Sequence, residues 1–311
     1  MNTVASLGQQ ALAQQLRSGD LVIHCGAFRY RIQSQLDLIA NGLRLMYADY
    51  PLAPADSFAD FSLKMEPGAG LHRWWRPQVR FSTDGFYPFE PLPLGHAYPQ
   101  LEWAMNWCVS TRAHHYLMLH AAVIERDGVA AVLPAPPGSG KSTLCAALVH
   151  RGWRLLSDEV ALVSLQDGRI SPAARPISLK NASIEIIRAF APDAVFTPTT
   201  HGTTKGSVTH IRAPREHVAR MLEPAQPRWV VVPRYIDKAP ACLRPVGRAQ
   251  TLMTLATNAF NYTLLGRVGF EALGRLVEGC ECFEFSYSQL DDAIAVFDAI
   301  ATGRAGEITG G

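Results

Sequence analysis

The chain has 311 residues, of which 48% are hydrophobic and 18% are charged, the composition of an ordinary folded protein. Its formal net charge of +2 and its scattered arginines give no electrostatic reason to expect a nucleic-acid partner or an acidic membrane surface. The length allows one large domain or two modest ones.

The cysteines and the N-terminus indicate a reducing compartment. Six cysteines occur without the spacing of a metal site or the dense pattern of a disulfide-stabilised secreted domain: Cys25, Cys108, Cys145, Cys242, Cys280 and Cys282. Residues 1–18 are polar and rich in glutamine, unlike a signal peptide. No stretch approaches the roughly 18 apolar residues that a membrane span needs. We therefore expect a cytoplasmic protein that does not enter a membrane.

The first third of the chain has the pattern of a β-rich domain. Short runs separated by turn residues predict strands at 21–25, 28–32, 42–47, 58–63 and 79–81. Several prolines from residue 88 onwards then mark an extended connection, which is followed by a predicted helix over 102–110. We place a boundary near residue 112, with residues 1–112 as a β-rich domain for a substrate or partner and residues 113–311 as a second domain.

The second domain begins with a predicted β-hairpin. Residues 118–124 and 129–133 are apolar runs of strand length, and an Asp-Gly turn connects them. A connection this short joins only antiparallel strands, since parallel neighbours need a long crossover. This distinguishes the chain from doubly wound nucleotide-binding folds, in which neighbouring strands are mostly parallel.

The next residues predict a phosphate-binding loop. Ala135-Pro-Pro-Gly-Ser-Gly-Lys-Ser142 stands between the second hairpin strand and a run with helical apolar spacing. In such loops backbone N–H groups curl around phosphate oxygens, a lysine contacts the β- and γ-phosphates, and a hydroxyl binds Mg²⁺. Ala135 departs from the usual glycine, and the other positions match. The residues predicted to hold a nucleoside triphosphate are Pro137, Gly138, Ser139, Gly140, Lys141, Ser142 and Thr143.

An acidic pair follows one helix later. We predict one strand over the apolar run 154–163, and Asp158 and Glu159 lie inside it, where a carboxylate without a partner is costly. Phosphoryl transfer needs a metal ligand and a group that orients the attacking oxygen, and the pair can supply both. His120 lies on the first hairpin strand, across from the loop. From the residues alone, a catalytic and a structural role for His120 are equally well supported.

The remaining chain supplies elements and further cations. We predict a short helix after Asn181, a mobile loop over 197–214, a strand at 229–232, helices over 248–277 broken near Gly266, a strand at 283–287 and a last helix. Lys180, Lys205 and Arg234 are candidates for contacting substrate or phosphate, and a solvated role for each stays open.

Several of these stretches together resemble HPr kinase/phosphorylase. Leu119-His-Ala-Ala, the glycine-rich loop and Arg151-Gly-Trp-Arg-Leu-Leu-Ser-Asp-Glu159 follow in that family's order. Residues 103–107, 175–181, 205–210 and 258–262 are similar to a narrower group, HprK-related kinase A. The resemblance implies an α/β fold, namely the P-loop kinase domain shared with phosphoenolpyruvate carboxykinase, here over 113–311 behind the β-rich domain.

The resemblance also implies an activity, ATP- and Mg²⁺-dependent phosphorylation of a serine in a peptide or small protein. By position, Lys141 and Ser142 take the loop roles, and His120 matches the family's histidine near the transferred phosphate. Asp158 and Glu159 match the acid pair, with the metal-ligand and base roles unassigned between them. The narrower group is associated with a PqqD-like peptide chaperone, and a homo-oligomer stays open. Two alternatives remain: a small-molecule kinase on the same fold, and a non-catalytic ATP-binding module that presents a peptide to a partner enzyme.

Overall fold

A computed structural model describes residues 2–70, 75–136 and 138–304 as a mixed α/β protein. The helices, numbered along the chain, are α1 Gln9–Ser18, α2 Asp37–Met46, α3 Ala97–Arg112, α4 Lys141–Val149, α5 Ala182–Phe190, α6 Arg215–Ala219, α7 Arg248–Thr257, α8 Tyr262–Leu265, α9 Arg267–Glu278 and α10 Leu290–Ala301. Short 3₁₀ turns occur at Val4–Ser6 and Leu94–His96. Within the described residues, none of the helices has the length and apolar character to cross a membrane.

The strands, numbered in the same way, belong to three sheets. They are β1 Leu21–Cys25, β2 Phe28–Ser34, β3 Leu52–Ala53, β4 Phe61–Pro67, β5 Gln78–Ser82, β6 Leu92–Pro93, β7 Tyr116–Arg126, β8 Val129–Pro134, β9 Arg154–Ser157, β10 Val160–Ser164, β11 Ile170–Ser171, β12 Ile177–Lys180, β13 Thr200–Thr203, β14 Gly206–Ile211, β15 Gln226–Tyr235, β16 Cys242–Pro245 and β17 Glu281–Tyr287.

The chain divides into two compact units. The described residues of Met1–Val109, Arg175–Ile184 and Asp193–Met221 form unit 1. Unit 2 comprises those of Ser110–Ala174, Glu185–Pro192 and Leu222–Gly311. The first crossing between the units lies close to the boundary placed at residue 112, and the chain then returns twice to unit 1.

Unit 1 contains two sheets. The larger has the strand order β3-β1-β2-β4-β5-β6, in which only the β2–β4 pair is parallel. The smaller has the order β12-β14-β13 and is antiparallel throughout. The strands of this second sheet come from the two later segments of unit 1, Arg175–Ile184 and Asp193–Met221, and they pair with each other and not with the sheet of unit 2.

Unit 2 is built on an eight-stranded sheet of order β11-β10-β7-β8-β15-β17-β16, with β9 also paired to β7. The predicted hairpin is present, since β7 and β8 are antiparallel. β15 is parallel to β8, and β17 is parallel to β15. β9 also runs in the direction of β8, because both are antiparallel to β7. The carboxyl ends of these four strands therefore meet at one edge of the sheet.

Three sequence predictions of secondary structure were wrong. Residues 42–46 lie in α2 and Tyr47 follows its end, because Ile39, Leu43 and Met46 form a buried helical face that outweighs the short alternation of a strand. The region 197–214 is not a loop, since it forms β13 and β14. Residues 154–163 form two strands, β9 and β10, with a bend at the acidic pair between them.

Candidate functional site

The glycine-rich loop connects the end of β8 to the start of α4 at the carboxyl edge of the eight-stranded sheet. Gly138 and Gly140 have φ angles of +86° and +88°, a region that residues with a Cβ rarely adopt. Gly140 immediately precedes the helix, so the first free N–H groups of α4 point back into the loop. A strand, a left-handed glycine turn and a helix N-terminus are the geometry that binds phosphate. Pro137, also predicted to contact nucleotide, lies outside the described residues.

The two neighbouring parallel strands hold this loop from one side. The Tyr235 backbone N–H donates to the Ser139 carbonyl at 3.0 Å, and the Tyr287 hydroxyl donates to the Gly140 carbonyl at 3.1 Å. A Cβ added at Gly140 would lie 2.7 Å from the Tyr287 hydroxyl oxygen, so this position has no space for a side chain. Sequence reasoning did not find either tyrosine as a site residue, because the pairing of β15 with β17 joins segments far apart in the chain.

Two charged side chains are buried around the start of α4. Lys141 is 7% exposed and Asp158 is 6% exposed. Both act on the buried Cys145 of α4: burial raises the pKa of its thiol, the Asp158 carboxylate raises it further, and the Lys141 ammonium lowers it. Electrostatic effects of this kind are strong only at short range. The lysine of the loop and the first acid of the pair therefore share one neighbourhood.

The register of β7 shows where the acidic pair lies. Ser157 is opposite Val123, and Val160 is opposite His120. The bend at Asp158-Glu159 therefore lies beside residues 121 and 122 of β7. On its other side, this same part of β7 pairs with the last residues of β8. The acidic pair is thus level with the start of the glycine-rich loop, with one strand between them.

His120 lies just beyond the point where β8 turns into the loop. From there another segment takes over that side of β7: the His120 N–H donates to the Asn258 carbonyl at 2.6 Å, and the Phe260 N–H donates to the Met118 carbonyl at 2.9 Å. The Asn261 side chain accepts from the Met118 N–H at 3.0 Å. The Phe260 ring centre is 5.9 Å from the His120 imidazole. Residues 258–261 therefore complete the edge beside the loop, a role that their sequence did not reveal.

The three predicted cations do not all belong to the unit that contains the glycine-rich loop. Arg234 is exposed at the end of β15, one residue before the Tyr235 contact to the loop. Lys180 ends β12, and Lys205 lies in the turn between β13 and β14 with its ammonium 5.3 Å from the Trp103 ring centre. Both lysines belong to unit 1, whereas Arg234 and the loop belong to unit 2.

The loop residues fit a triphosphate with Mg²⁺. The hydroxyl oxygen of Ser139 is buried and has no hydrogen-bond partner among the described residues, as expected of a group that meets a ligand. Ser142 lies in the first turn of α4, where a loop hydroxyl reaches Mg²⁺. The described part of the chain contains no group of three or more His, Cys, Asp or Glu residues for a metal. A nucleotide-bound Mg²⁺ does not need one, since phosphates and waters supply most of its ligands.

The chain is similar to a protein family and to a solved structure. The family described as SynChlorMet cassette protein ScmC matches residues 100–177, a minority of the chain that includes the glycine-rich loop and the acidic pair. The structure of the HPr(Ser) kinase/phosphatase from Coxiella burnetii is similar at 12% sequence identity and a TM-score of 0.30, and the match covers 61% of this chain and 97% of that chain. No curated protein matches this chain.

Proposed function

We propose that the chain is an ATP- and Mg²⁺-dependent serine kinase that acts on a peptide or small protein, on the P-loop fold of HPr kinase and phosphoenolpyruvate carboxykinase. The observation that carries the proposal is geometric: Lys141 is buried at the start of α4, and Asp158 is buried at a bend that lies, by strand register, level with the glycine-rich loop. A phosphate loop alone serves many nucleotide-binding proteins. A buried carboxylate level with that loop adds the group that phosphoryl transfer to a hydroxyl requires.

In this proposal, the position of each residue supports one role. Backbone N–H groups of 138–143 bind the phosphates, and the Lys141 ammonium neutralises charge on the β- and γ-phosphates. Mg²⁺, held by Ser142 and one acid of the pair, supplies further charge neutralisation when bound. The other acid of the Asp158-Glu159 pair accepts the proton of the substrate hydroxyl, and His120 stands beside the same edge.

The residues of unit 1 and the exposed cations have supporting roles in this proposal. Unit 1 binds the peptide or its carrier, with a PqqD-like chaperone as the kind of partner. Arg234, Lys180 and Lys205 contact substrate or phosphate. The proposed reaction takes place in the cytoplasm, and a homo-oligomer is compatible with it.

Phosphate transfer from [γ-³²P]ATP to a library of serine-containing peptides tests the function. The proposal expects Mg²⁺-dependent label on serine, lost when Asp158→Ala is combined with Glu159→Gln. Asp167→Asn, an acid in an exposed turn of unit 2, is the matched control and leaves transfer unchanged. Label that appears only on small metabolites would favour a small-molecule kinase. ATP binding with no transfer to any acceptor would favour a presenting module, and unchanged transfer in the double variant would refute the mechanism.

A further inference from the structure

Two tyrosines end neighbouring parallel strands beside the glycine-rich loop. Tyr235 and Tyr287 are directly opposite each other in the β15–β17 register, so their side chains leave the same face of the sheet. Their rings pack edge to face, with centres 6.0 Å apart. Tyr287 is 1% exposed, whereas Tyr235 is 48% exposed. The two residues line one side of the loop, and the Tyr287 hydroxyl is buried against it.

These two tyrosines donate hydrogen bonds to two consecutive loop carbonyls, one from the backbone and one from a side chain. The Tyr235 N–H binds the Ser139 carbonyl at 3.0 Å, and the Tyr287 hydroxyl binds the Gly140 carbonyl at 3.1 Å. The Gly140 carbonyl also accepts the Leu144 N–H at 2.9 Å, the first hydrogen bond of α4. Both lone pairs of that oxygen are therefore used, one by the helix and one by the tyrosine.

The orientation of a carbonyl determines that of the next amide. In a trans peptide plane the C=O and the following N–H point in opposite directions. A carbonyl of Ser139 that points toward the strands turns the Gly140 N–H away from them, and a carbonyl of Gly140 held by Tyr287 does the same for the Lys141 N–H. These two amides are the donors expected to face a phosphate in this kind of loop.

We propose that Tyr287 is a positioning residue of the nucleotide site, whose hydroxyl keeps the Gly140 peptide oriented so that the loop is preformed for phosphate before a ligand binds. This inference rests on the proposed nucleotide function and adds a residue outside the loop to it. Burial raises the pKa of the Tyr287 phenol, so the hydroxyl keeps its proton and remains a donor over the range in which the protein is handled. A preformed loop avoids the cost of ordering its backbone upon binding.

Tyr287→Phe tests the inference, because it removes only the hydroxyl. Loss of one net hydrogen bond corresponds to about a two- to tenfold rise in Kd for Mg²⁺-ATP by calorimetry. We expect faster hydrogen exchange of the Leu144 amide, which donates to the Gly140 carbonyl, in the ligand-free protein, and an unchanged kcat once ATP is saturating. Tyr47→Phe removes an equally buried tyrosine hydroxyl in unit 1, which donates to Glu102 at 2.9 Å, and should leave Kd unchanged.

A double-variant cycle provides a second test. Gly140→Ala places a methyl group against the Tyr287 hydroxyl, so part of its cost depends on that oxygen. The combined loss of affinity in Gly140→Ala with Tyr287→Phe should therefore be less than the product of the single effects. An unchanged Kd in Tyr287→Phe, with only a lower Tm, would overturn the positioning role. Failure of the wild-type protein to bind Mg²⁺-ATP would instead refute the proposed function.

Discussion

Both units bury charged side chains, but they surround them differently. In unit 1 the Glu102 carboxylate accepts from the hydroxyls of Tyr47 at 2.9 Å and Tyr98 at 2.6 Å. It also pairs with Arg175 at 3.4 Å, and Arg175 is hydrogen-bonded to Asn106. In unit 2, Lys141 and Asp158 are buried to a similar degree beside a glycine turn and a helix N-terminus.

Burial of charge does not by itself identify a functional site. In unit 1 the Glu102 carboxylate is paired with protein groups: it accepts from two tyrosine hydroxyls and pairs with Arg175, which in turn binds Asn106. At the sheet edge, by contrast, the neighbours are backbone N–H groups that open a helix and a buried Ser139 hydroxyl oxygen with no hydrogen-bond partner among the described residues. Such an arrangement favours a negatively charged ligand. We therefore expect the charges of unit 1 to contribute to stability and those of unit 2 to activity.

Arg175→Met gives the largest expected effect. It leaves the Glu102 carboxylate buried without its cation, which should destabilise the protein by about 3–5 kcal/mol in urea unfolding. Replacing both partners, with Arg175→Met and Glu102→Gln, removes the uncompensated charge and keeps an oxygen that accepts from Tyr47 and Tyr98, so it should restore much of the loss. A single variant as stable as the wild type would show that the network is not structural.

Lys141→Met tests whether the buried charges of unit 2 contribute to activity more than to stability. Phosphate transfer should fall by about 10²–10³-fold, because a charge that stabilises the transition state is lost. The free energy of unfolding should change much less than in Arg175→Met, because we expect a charge beside a ligand site to contribute to binding more than to stability. The two variants are compared in the same urea titration and the same transfer assay. Strong destabilisation by Lys141→Met would place this lysine with the structural charges.

The elements that carry the loop were predictable because their signals are local. The Asp-Gly turn, the apolar runs on either side of it and the spacing within α4 all lie inside one short stretch. Prediction failed where tertiary packing determines the secondary structure. At Gly42 of α2 the absence of a Cβ leaves room for the Tyr98 ring, and the sequence near residue 42 gives no sign of this contact. The small polar residues of 197–214 form strands because β12 offers them a partner edge.

The same limit applies to the site. The loop, Lys141 and the acidic pair stand in recognisable order along the chain, so their chemistry could be predicted. Tyr287 and Asn258 could not be found in this way. Each reaches the edge through a strand pairing or a backbone hydrogen bond that joins distant segments. Their residue types carry no special signal for a phosphate site.

His120→Asn should reduce transfer by about a hundredfold, the lower end of what general acid–base groups contribute. ATP affinity should stay close to that of the wild type, because the backbone bond from His120 to Asn258 does not need the imidazole. Single-turnover transfer separates these quantities. His115→Asn, at the start of the same hairpin but next to the ring of Tyr116, is the matched control. Equal rates in the two variants would remove His120 from the reaction.

The smallest expected effect uses Cys145 to probe the charges around it. The Asp158 carboxylate raises the pKa of this buried thiol and the Lys141 ammonium lowers it. The ultraviolet absorbance of the Cys145 thiolate, taken as the difference between each protein and its Cys145→Ser counterpart, should therefore show ionisation at a lower pH in Asp158→Asn than in the wild type, and at a higher pH in Lys141→Met, by about one pH unit at most. Cys242, only partly buried in β16, serves as a reference thiol that neither variant alters. Because the two signs are opposite, a general loosening of α4 cannot produce both results. A shift of the same sign in both variants would mean that the lysine and the acid do not share the surroundings of Cys145.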